Sequence, residues 1–196
     1  MVESAKQIDP KLIYGYMNMK NRTQNSEKGQ DENQEMNAEL HELLLDELAD
    51  LLNAETQLTK ALPKMAKAAQ AEELREAINS HLEETEGHVE RLKQVFESLN
   101  EKPKSKTCQA MKGLVEEGSK LLQELKGKSS IDAGIIAAAQ KVEHYEIASY
   151  GTVRAWAEQM GHEEAVRLLE ETLNEEKGAN EKLTKIAEAV ANTHSG

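Results

Sequence analysis

Glutamate side chains interrupt the apolar faces of all four long helical stretches in this chain. They are Glu55, Glu84, the pair Glu143 and Glu146, and Glu176. A buried carboxylate that stays ionised costs several kcal/mol unless a cation or a hydrogen-bond donor meets it. Carboxylates that face one interior also repel one another, and two divalent or trivalent metal ions would neutralise that charge. The pattern therefore predicts a dimetal site.

Candidate ligands in the first two long helices follow from the angle of each residue on its helix, at about 100° per residue. Glu55 falls close to the centre of the first apolar face. In the second helix, His81 and His88 lie along the apolar face and Glu84 lies at its margin, so these three form one row. We expect all four side chains to be metal ligands.

The third and fourth long helices supply the remaining candidates. Glu146 lies at the centre of the third apolar face and Glu143 lies beside it, so a Glu-x-x-Glu pair faces the core. In the fourth helix Glu176 is central and Asn180 is close by, whereas Glu175 turns toward water. We expect Glu143, Glu146, Glu176 and Asn180 to complete the metal site.

Simpler interpretations exist for each residue taken alone. A helix-edge glutamate can reach water or pair with lysine, and only the coincidence across four helices argues against that interpretation. Tyr150 lies one turn after Glu146. It either fills the core with its hydroxyl satisfied or donates a hydrogen bond to a ligand carboxylate. Oxygen-rich ligation with one or two imidazoles favours iron or manganese over metals that prefer thiolates.

Helical periodicity defines the elements that would hold these residues. The predicted helices span residues 38–69, 72–99, 107–126, 132–160 and 163–192, and Asp132 is a candidate N-cap. Residues 1–36 are polar and lack a sustained period, which predicts a disordered tail before a bundle domain over residues 37–196. Two pairs of long helices, joined by a segment that holds the shorter helix, match a ferritin-like four-helix bundle with one long crossover.

Composition supports an all-α protein and excludes several functions. Of the 196 residues only 3% are aromatic, and Ala, Leu, Glu and Lys dominate. A net charge of −12 disfavours binding to nucleic acid or to an anionic membrane. No apolar run reaches the roughly 20 residues of a membrane span, and the N-terminus lacks the apolar core of a signal peptide. With Cys108 as the single cysteine, we expect a soluble, cytoplasmic protein with no nucleic-acid or membrane partner.

Several runs of the sequence resemble the bacterial YciF stress-protein family. The most specific run is Ala137–Thr152 (AAAQKVEHYEIASYGT). The others are Asp46–Leu48 (DEL), Ala54–Leu58 (AETQL), Ala61–Met65 (ALPKM), His81–Thr85 (HLEET) and Glu171–Lys177 (ETLNEEK). The similarity covers about residues 38–192, which is the whole predicted bundle.

This resemblance implies a ferritin-like fold related to rubrerythrin and manganese catalase, a homodimer, and a role in bacterial stress responses. Rubrerythrin-like sites commonly offer Glu, Glu-x-x-His, Glu or Glu-x-x-Glu, and Glu-x-x-His on their four successive helices. This chain departs from that pattern, with His81-x-x-Glu84-x-x-x-His88 in the second helix and Asn180 in a fourth helix that lacks histidine. YciF relatives often carry Gln at the position of His88, which makes His81 the firmer imidazole ligand.

The residues and the resemblance together predict a dimetal carboxylate protein that holds two iron ions, or manganese in their place. Such sites support the reduction of peroxide or dioxygen, because low-valent ions bridged by carboxylates give electrons to the oxidant. An oxidase or peroxidase of stress defence is the corresponding enzyme. The alternative is a non-enzymatic dimeric bundle that binds metal or a protein partner, with its inward acids satisfied by Lys, Tyr, Asn and water.

Overall fold

The computed structural model describes the backbone of residues 10–193 and the side chains of residues 36–189. The described residues form five α-helices and no strand. These helices are α1 (Pro10–Ala68), α2 (Glu72–Ser98), α3 (Gln109–Glu124), α4 (Ile131–Gln159) and α5 (Glu163–Thr193). The chain divides into two compact units, Met1–Glu42 and Leu43–Gly196, and the helical bundle belongs to the second. The predicted all-α class is confirmed.

The start of α1 differs from the prediction. Its helical backbone begins at Pro10, so residues 10–36, predicted to be a disordered tail, are helical, and residues 1–9 lie outside the described residues. The segment is rich in Glu, Gln, Lys and Met, whose helix propensity is high even where no apolar face recurs. Absence of an apolar period in a segment therefore does not exclude a helix.

Two apolar clusters fill the bundle at opposite ends. Cluster A includes Leu58, Leu62, Leu74, Ile78, Ile135, Ala139, Val142, Leu183 and Ile186. Cluster B includes Leu44, Leu48, Leu51, Leu92, Phe96, Tyr150, Val153, Leu169 and Leu173. Each of the four long helices contributes apolar side chains to both clusters, as expected for helices that lie side by side along the bundle.

The order in which the helices pass through these clusters fixes the topology. Within the bundle, α1 and α5 run from cluster B to cluster A, whereas α2 and α4 run from cluster A to cluster B. Because α2 and α4 are parallel, the chain between them must return along the bundle. The return covers about 40 Å, since α2 has 27 residues and an α-helix rises 1.5 Å per residue. This is the predicted ferritin-like bundle with one long crossover.

The crossover is held against α1 and α4 by hydrogen bonds and packing. The amide of Lys106 donates to the Ala49 carbonyl at 3.1 Å. The amide of Cys108 donates to Asn53 Oδ1 at 2.9 Å, and Gln57 Nε2 donates to the Cys108 carbonyl at 3.1 Å. The short helix α3 then packs against α4. The crossover is therefore packed against the bundle along α1 and α4.

Asp132 has a different role from the one predicted for it. Ser130 is the N-cap residue of α4, and Asp132 lies in the first turn of that helix. Its two carboxylate oxygens instead accept hydrogen bonds from the amides of Gln70 and Ala71, at 2.8 and 2.9 Å. Asp132 therefore ties the start of α4 to the turn between α1 and α2. A sequence pattern cannot reveal this contact, because its partners lie about 60 residues away.

None of the described helices combines the length and the apolar character that a membrane span requires.

Candidate metal centre

A polar layer separates the two apolar clusters inside the bundle. Its buried residues are Glu55 from α1, His81, Thr85 and His88 from α2, Glu143 and Glu146 from α4, and Glu176 from α5. On each helix, apolar residues of one cluster come before these polar residues and apolar residues of the other cluster come after them. The 3.6-residue period therefore aims them at the same interior as the neighbouring Leu, Ile and Val side chains.

One group of potential ligands consists of Glu55, His88 and Glu176. Their ligand atoms lie within 4.8 Å of one another. His88 Nδ1 lies 2.9 Å from Glu176 Oε1 and 3.5 Å from Glu55 Oε1. Both the histidine and the two glutamates have no exposed side-chain surface. The three side chains thus meet in a dry space between α1, α2 and α5.

A second group consists of His81, Glu143, Glu146 and Glu176, again with ligand atoms within 4.8 Å of one another. His81 Nε2 lies 3.4 Å from Glu143 Oε1 and 3.8 Å from Glu176 Oε2. Glu176 belongs to both groups, and its Oε1 faces His88 while its Oε2 faces His81. A carboxylate placed in this way can bridge two cations.

Most of the polar atoms in this layer have no hydrogen-bond partner. Among the described residues, the buried atoms without one are Glu55 Oε2, His81 Nε2, His88 Nδ1, Glu143 Oε2 and both carboxylate oxygens of Glu146 and of Glu176. His88 Nδ1 and Glu176 Oε1 are close, at 2.9 Å, but they are not aligned as a hydrogen bond. Buried polar groups in folded proteins are nearly always paired, so a cluster of unpaired atoms requires an explanation. Carboxylate oxygens and imidazole nitrogens are the donor atoms that bind iron or manganese. The residues present therefore fit a metal centre.

Burial and mutual repulsion oppose ionisation of the acids when no cation is present. Burial, followed by repulsion from Glu55, Glu176 and Glu143, raises the pKa of Glu146 well above its ordinary value. Burial also raises the pKa of Glu143, although His81 opposes the change. A cation at this position would remove the cause of both shifts.

The two histidines are stabilised as cations by the surrounding acids. Burial disfavours a charged imidazole, but Glu143, Glu84 and Glu176 raise the pKa of His81 to about 9. Contacts with Glu176 and Glu55 likewise outweigh burial and raise the pKa of His88 to about 10. Burial alone would raise the pKa of Glu176, but the two histidines hold it below its ordinary value. In the metal-free protein, protons on these imidazoles supply part of the positive charge that the acids require.

Two hydroxyl groups position the polar layer. Tyr150 Oη donates a hydrogen bond to Glu55 Oε1 at 2.5 Å, and both side chains are completely buried. Thr85 Oγ1 donates to the carbonyl of His81 at 2.8 Å, within α2. Tyr150 thus takes the second of the two roles that the sequence left open for it, since its hydroxyl meets a carboxylate of the candidate site.

Glu175 was expected to face water, and the structure corrects this interpretation. Its Oε2 lies 2.8 Å from His88 Nε2, on the side of the ring opposite to Glu55 and Glu176. Arg91 Nη1 donates to the same oxygen at 2.6 Å and to Thr172 Oγ1 at 2.8 Å. Arg91 lies one turn after His88, so the two cationic side chains share one face of α2. This pair was the sequence signal for an acidic partner on a neighbouring helix.

Two other predicted ligands, Glu84 and Asn180, make contacts with neighbouring side chains. The Glu84 side chain is 42% exposed, and its Oε2 lies 3.3 Å from His81 Nδ1, the nitrogen that faces away from the carboxylate layer. Asn180 Oδ1 accepts a weak hydrogen bond from Gln140 Nε2 at 3.4 Å. Glu84 is therefore placed to orient His81, and Asn180 belongs to a polar contact between α4 and α5.

Comparison with known proteins places this architecture in a family. Residues 39–195 match the family described as a domain of unknown function, DUF892. YciF from Escherichia coli (strain K12) is 52% identical over 141 residues, which are 71% of this chain and 85% of YciF. The chain belongs to the YciF stress-protein family. The resemblance inferred from the sequence runs is thereby confirmed.

Solved structures of YciF-like proteins share this fold. The crystal structure of the Escherichia coli stress protein YciF matches with a TM-score of 0.75 and 48% identity, over 78% of this chain and 97% of YciF. YcfI from Rhodopseudomonas palustris, a proposed structural protein, matches with a TM-score of 0.72 and 50% identity, over 74% of this chain and 92% of its own. Nearly the whole of each relative thus corresponds to the helical bundle described above.

Proposed function

We propose that this member of the YciF family is a dimetal carboxylate protein that reduces peroxide or dioxygen in the stress response. The observation that supports it best is the set of unpaired carboxylate and imidazole atoms in a buried layer supplied by four helices. A hydrophobic bundle could fill this layer with Leu or Val, and burying unpaired acids there destabilises the fold unless a cation compensates.

In this proposal the two groups of side chains hold one ion each. Glu55, His88 and Glu176 surround the first position, and His81, Glu143, Glu146 and Glu176 surround the second. Glu176 is shared, which suits it to bridge the two ions. The donor set favours iron, with manganese as the alternative, because neither group contains a thiolate.

Each part of the chain has a defined task in the proposed chemistry. Two ferrous ions, when bound to these residues, would supply the two electrons that reduction of one peroxide bond consumes. Clusters A and B pack apolar side chains on the two sides of the site. Tyr150 holds Glu55 through its hydroxyl, and Glu84 holds the outward nitrogen of His81. These contacts fix the direction from which the ligands approach the ions.

We also propose that the protein is a cytoplasmic homodimer that does not bind nucleic acid. Family resemblance supports a homodimer, and a net charge of −12 supports the absence of a nucleic-acid partner. A cytoplasmic location agrees with the single cysteine, which needs no oxidising compartment. Sedimentation velocity of the purified chain will measure its oligomeric state.

A non-enzymatic bundle is the second candidate. Protonated His81 and His88 lie among the acids and already compensate part of their charge. The description of YcfI as a proposed structural protein is consistent with such a role. In that case the polar layer would hold protons in place of metal ions, and the protein would act through partners or by scavenging metal.

Substitution of Glu146 separates the two functions. We expect the wild type to take up two ferrous ions per chain under anaerobic conditions, and Glu146→Gln to take up one at most, because its carboxylate serves only the second group. Glu83→Gln, which makes the same change at an exposed position of α2, is the matched control and should retain both ions. Elemental analysis after gel filtration measures uptake, and loss of hydrogen peroxide measures turnover.

Absence of metal binding or of turnover would contradict the proposal. Wild-type protein that takes up neither iron nor manganese, and whose melting temperature is unchanged by either metal, would leave the non-enzymatic bundle as the function. Metal uptake without consumption of peroxide or dioxygen would establish a metal-binding protein and reject the redox activity.

A further inference from the structure

A cavity of ≈ 290 Å³ reaches the candidate metal centre between α2, α4 and α5. Apolar side chains from the bundle core form one part of its wall. They are Leu62, Ala77, Ile78, Ala139 and Leu183. All five are buried, so the cavity extends into the interior of the protein.

The two ends of the cavity differ in character. His81 and Glu143, two members of the second ligand group, lie at its inner end and are buried. Ser80, Gly178 and Lys182 lie at its outer end and are exposed. A Cβ atom added to Gly178 would meet no atom within 4 Å. The cavity is therefore an open path from solvent to side chains of the candidate centre.

Size and wall chemistry indicate what the cavity can hold. Its volume is close to the lower limit of small-molecule sites, about 300 Å³. Hydrogen peroxide or dioxygen alone would need little more than the roughly 30 Å³ that one water occupies in the liquid. An apolar wall also offers no hydrogen bond to hydrogen peroxide. The surplus space fits an organic group of modest size.

The charges around the cavity favour a neutral ligand. Three of the side chains that line it are acidic, namely Glu84, Glu143 and Glu175, and two are basic, namely Lys182 and His81. An anionic molecule such as a fatty acid would therefore meet net repulsion along the path. A neutral molecule with one polar terminus avoids this cost and can place that terminus at His81 and Glu143.

We propose that this cavity is a substrate site for a neutral organic hydroperoxide, with its apolar group against Ile78 and Leu183 and its peroxide end at His81 and Glu143. This inference rests on the proposed function and specifies its substrate class. Reduction of such a substrate breaks the O–O bond, consumes two electrons and two protons, and releases an alcohol and water. The electrons are the two already assigned to the ferrous pair.

Binding of the alcohol product tests the site without any turnover. The probe is 2-phenyl-2-propanol, the alcohol formed from cumene hydroperoxide, added to the full-length protein with and without iron. We expect saturable binding by ligand-observed NMR, and intermolecular nuclear Overhauser contacts from the phenyl ring to methyl groups of Ile78 and Leu183. Contacts to other methyl groups only, or no saturable binding to the wild type, would overturn the proposal.

A pair of glycine variants makes the test specific to this cavity. Gly178→Leu places a side chain at the mouth, and Gly113→Leu adds the same side chain to an exposed position of α3 that lies outside the cavity. A Cβ atom meets nothing within 4 Å at either position, so both variants should fold. We expect binding to Gly178→Leu to be about tenfold weaker or more, whereas Gly113→Leu binds like the wild type. Equal affinity of all three proteins would overturn the proposal.

Failure of the cavity site and failure of the dimetal function give different results in the same samples. Alcohol binding by a wild type that takes up no metal would support the cavity site and reject the proposed function. Metal uptake without alcohol binding would reject the cavity site and leave the dimetal function standing with a smaller oxidant.

Discussion

The ring of His88 contacts acidic side chains through both of its nitrogen atoms. One ring nitrogen faces Glu55 and Glu176 in the buried layer, and the other meets Glu175 at 2.8 Å. An imidazole that binds a metal through one nitrogen is oriented by the group that meets its other nitrogen. Glu175, held in turn by Arg91, therefore fixes the ring so that Nδ1 points into the layer.

Glu175→Gln tests this orientation at the scale of a single residue. We expect the affinity for the first metal ion to fall by about 10- to 100-fold, the usual effect of losing such an outer contact to a ligand. Competition with a chromophoric chelator measures the affinity. Glu171→Gln is the matched control, because Glu171 also pairs with Arg91, at 3.0 Å, whereas the ring of His88 meets Glu175. Equal losses in the two variants would show that Arg91, rather than the ring contact, controls affinity.

Three side chains contact candidate ligands of the site and so affect it indirectly, namely Thr85, Tyr150 and Glu84. Tyr150 is the clearest case, because its hydroxyl and the Glu55 carboxylate are both completely buried and meet at 2.5 Å. Burial, together with the Glu55 charge, raises the pKa of Tyr150 well above its ordinary value, so the phenol stays protonated and remains a donor. The phenol therefore remains a hydrogen-bond donor at a pH where a free tyrosine would already ionise.

At the scale of the elements, the crossover and the helix turns set the distances between the candidate ligands. Glu143 and Glu146 lie on α4, which begins only after the chain has returned along the bundle. The start of α4 is anchored by Asp132, which accepts hydrogen bonds from the turn that joins α1 to α2. This contact sets the height of α4 relative to α2, and thus of Glu143 relative to His81.

Asp132→Ala removes both acceptors of this anchor. We expect the free energy of unfolding in urea to fall by about 1–3 kcal/mol, because two amides at a helix start lose their partner. Asp132→Asn keeps one carbonyl oxygen and should fall between Asp132→Ala and the wild type. Equal stability of all three proteins would mean that water replaces the carboxylate, and the anchoring role would then be rejected.

At the scale of the whole molecule, the fold places a charged layer between two dry clusters. This arrangement couples the stability of the bundle to the protons or cations that the layer contains. Eight unpaired polar atoms in the described interior have no counterpart in an ordinary helical core, where such groups are paired. The stability of the metal-free protein must therefore depend on the ionisation of these groups.

The pKa values of His81 and His88 give the sign of that dependence. Both are raised from 6.5, to about 9 and about 10. Groups whose pKa rises on folding bind a proton more tightly in the folded state, so their contribution is complete below pH 6.5 and is lost as the pH rises through 9 to 10. We expect the melting temperature of the metal-free protein to fall over that window in calorimetry.

Two further samples identify the groups responsible. Protein loaded with metal should lose less stability over the same window, because the ions take the place of the protons. His144→Gln, at an exposed position of α4, should retain the pH dependence of the wild type, whereas His88→Gln should weaken it. A melting temperature that is constant between pH 6 and pH 10 in the metal-free wild type would contradict the shifts in pKa.

The sequence by itself determined the helices and the direction in which their side chains point. Four of the five helices begin and end within two residues of the prediction, because the 3.6-residue period is a local property of the chain. The same period identified Glu55, Glu146 and Glu176 as buried. The alternation of apolar and acidic residues on one face therefore predicted a polar layer without any knowledge of the partners.

Only the tertiary structure decided which of these side chains meet. Glu84 has the right residue type but lies outside both groups. Asn180 contacts Gln140, and Glu175, expected in water, contacts His88. The angular position of a residue around its helix states which face it occupies. The height and rotation of the neighbouring helix decide whether side chains at the margins of two faces are in contact. Those quantities depend on packing over the whole bundle, including the long crossover and the Asp132 anchor, and no local pattern in the sequence contains them.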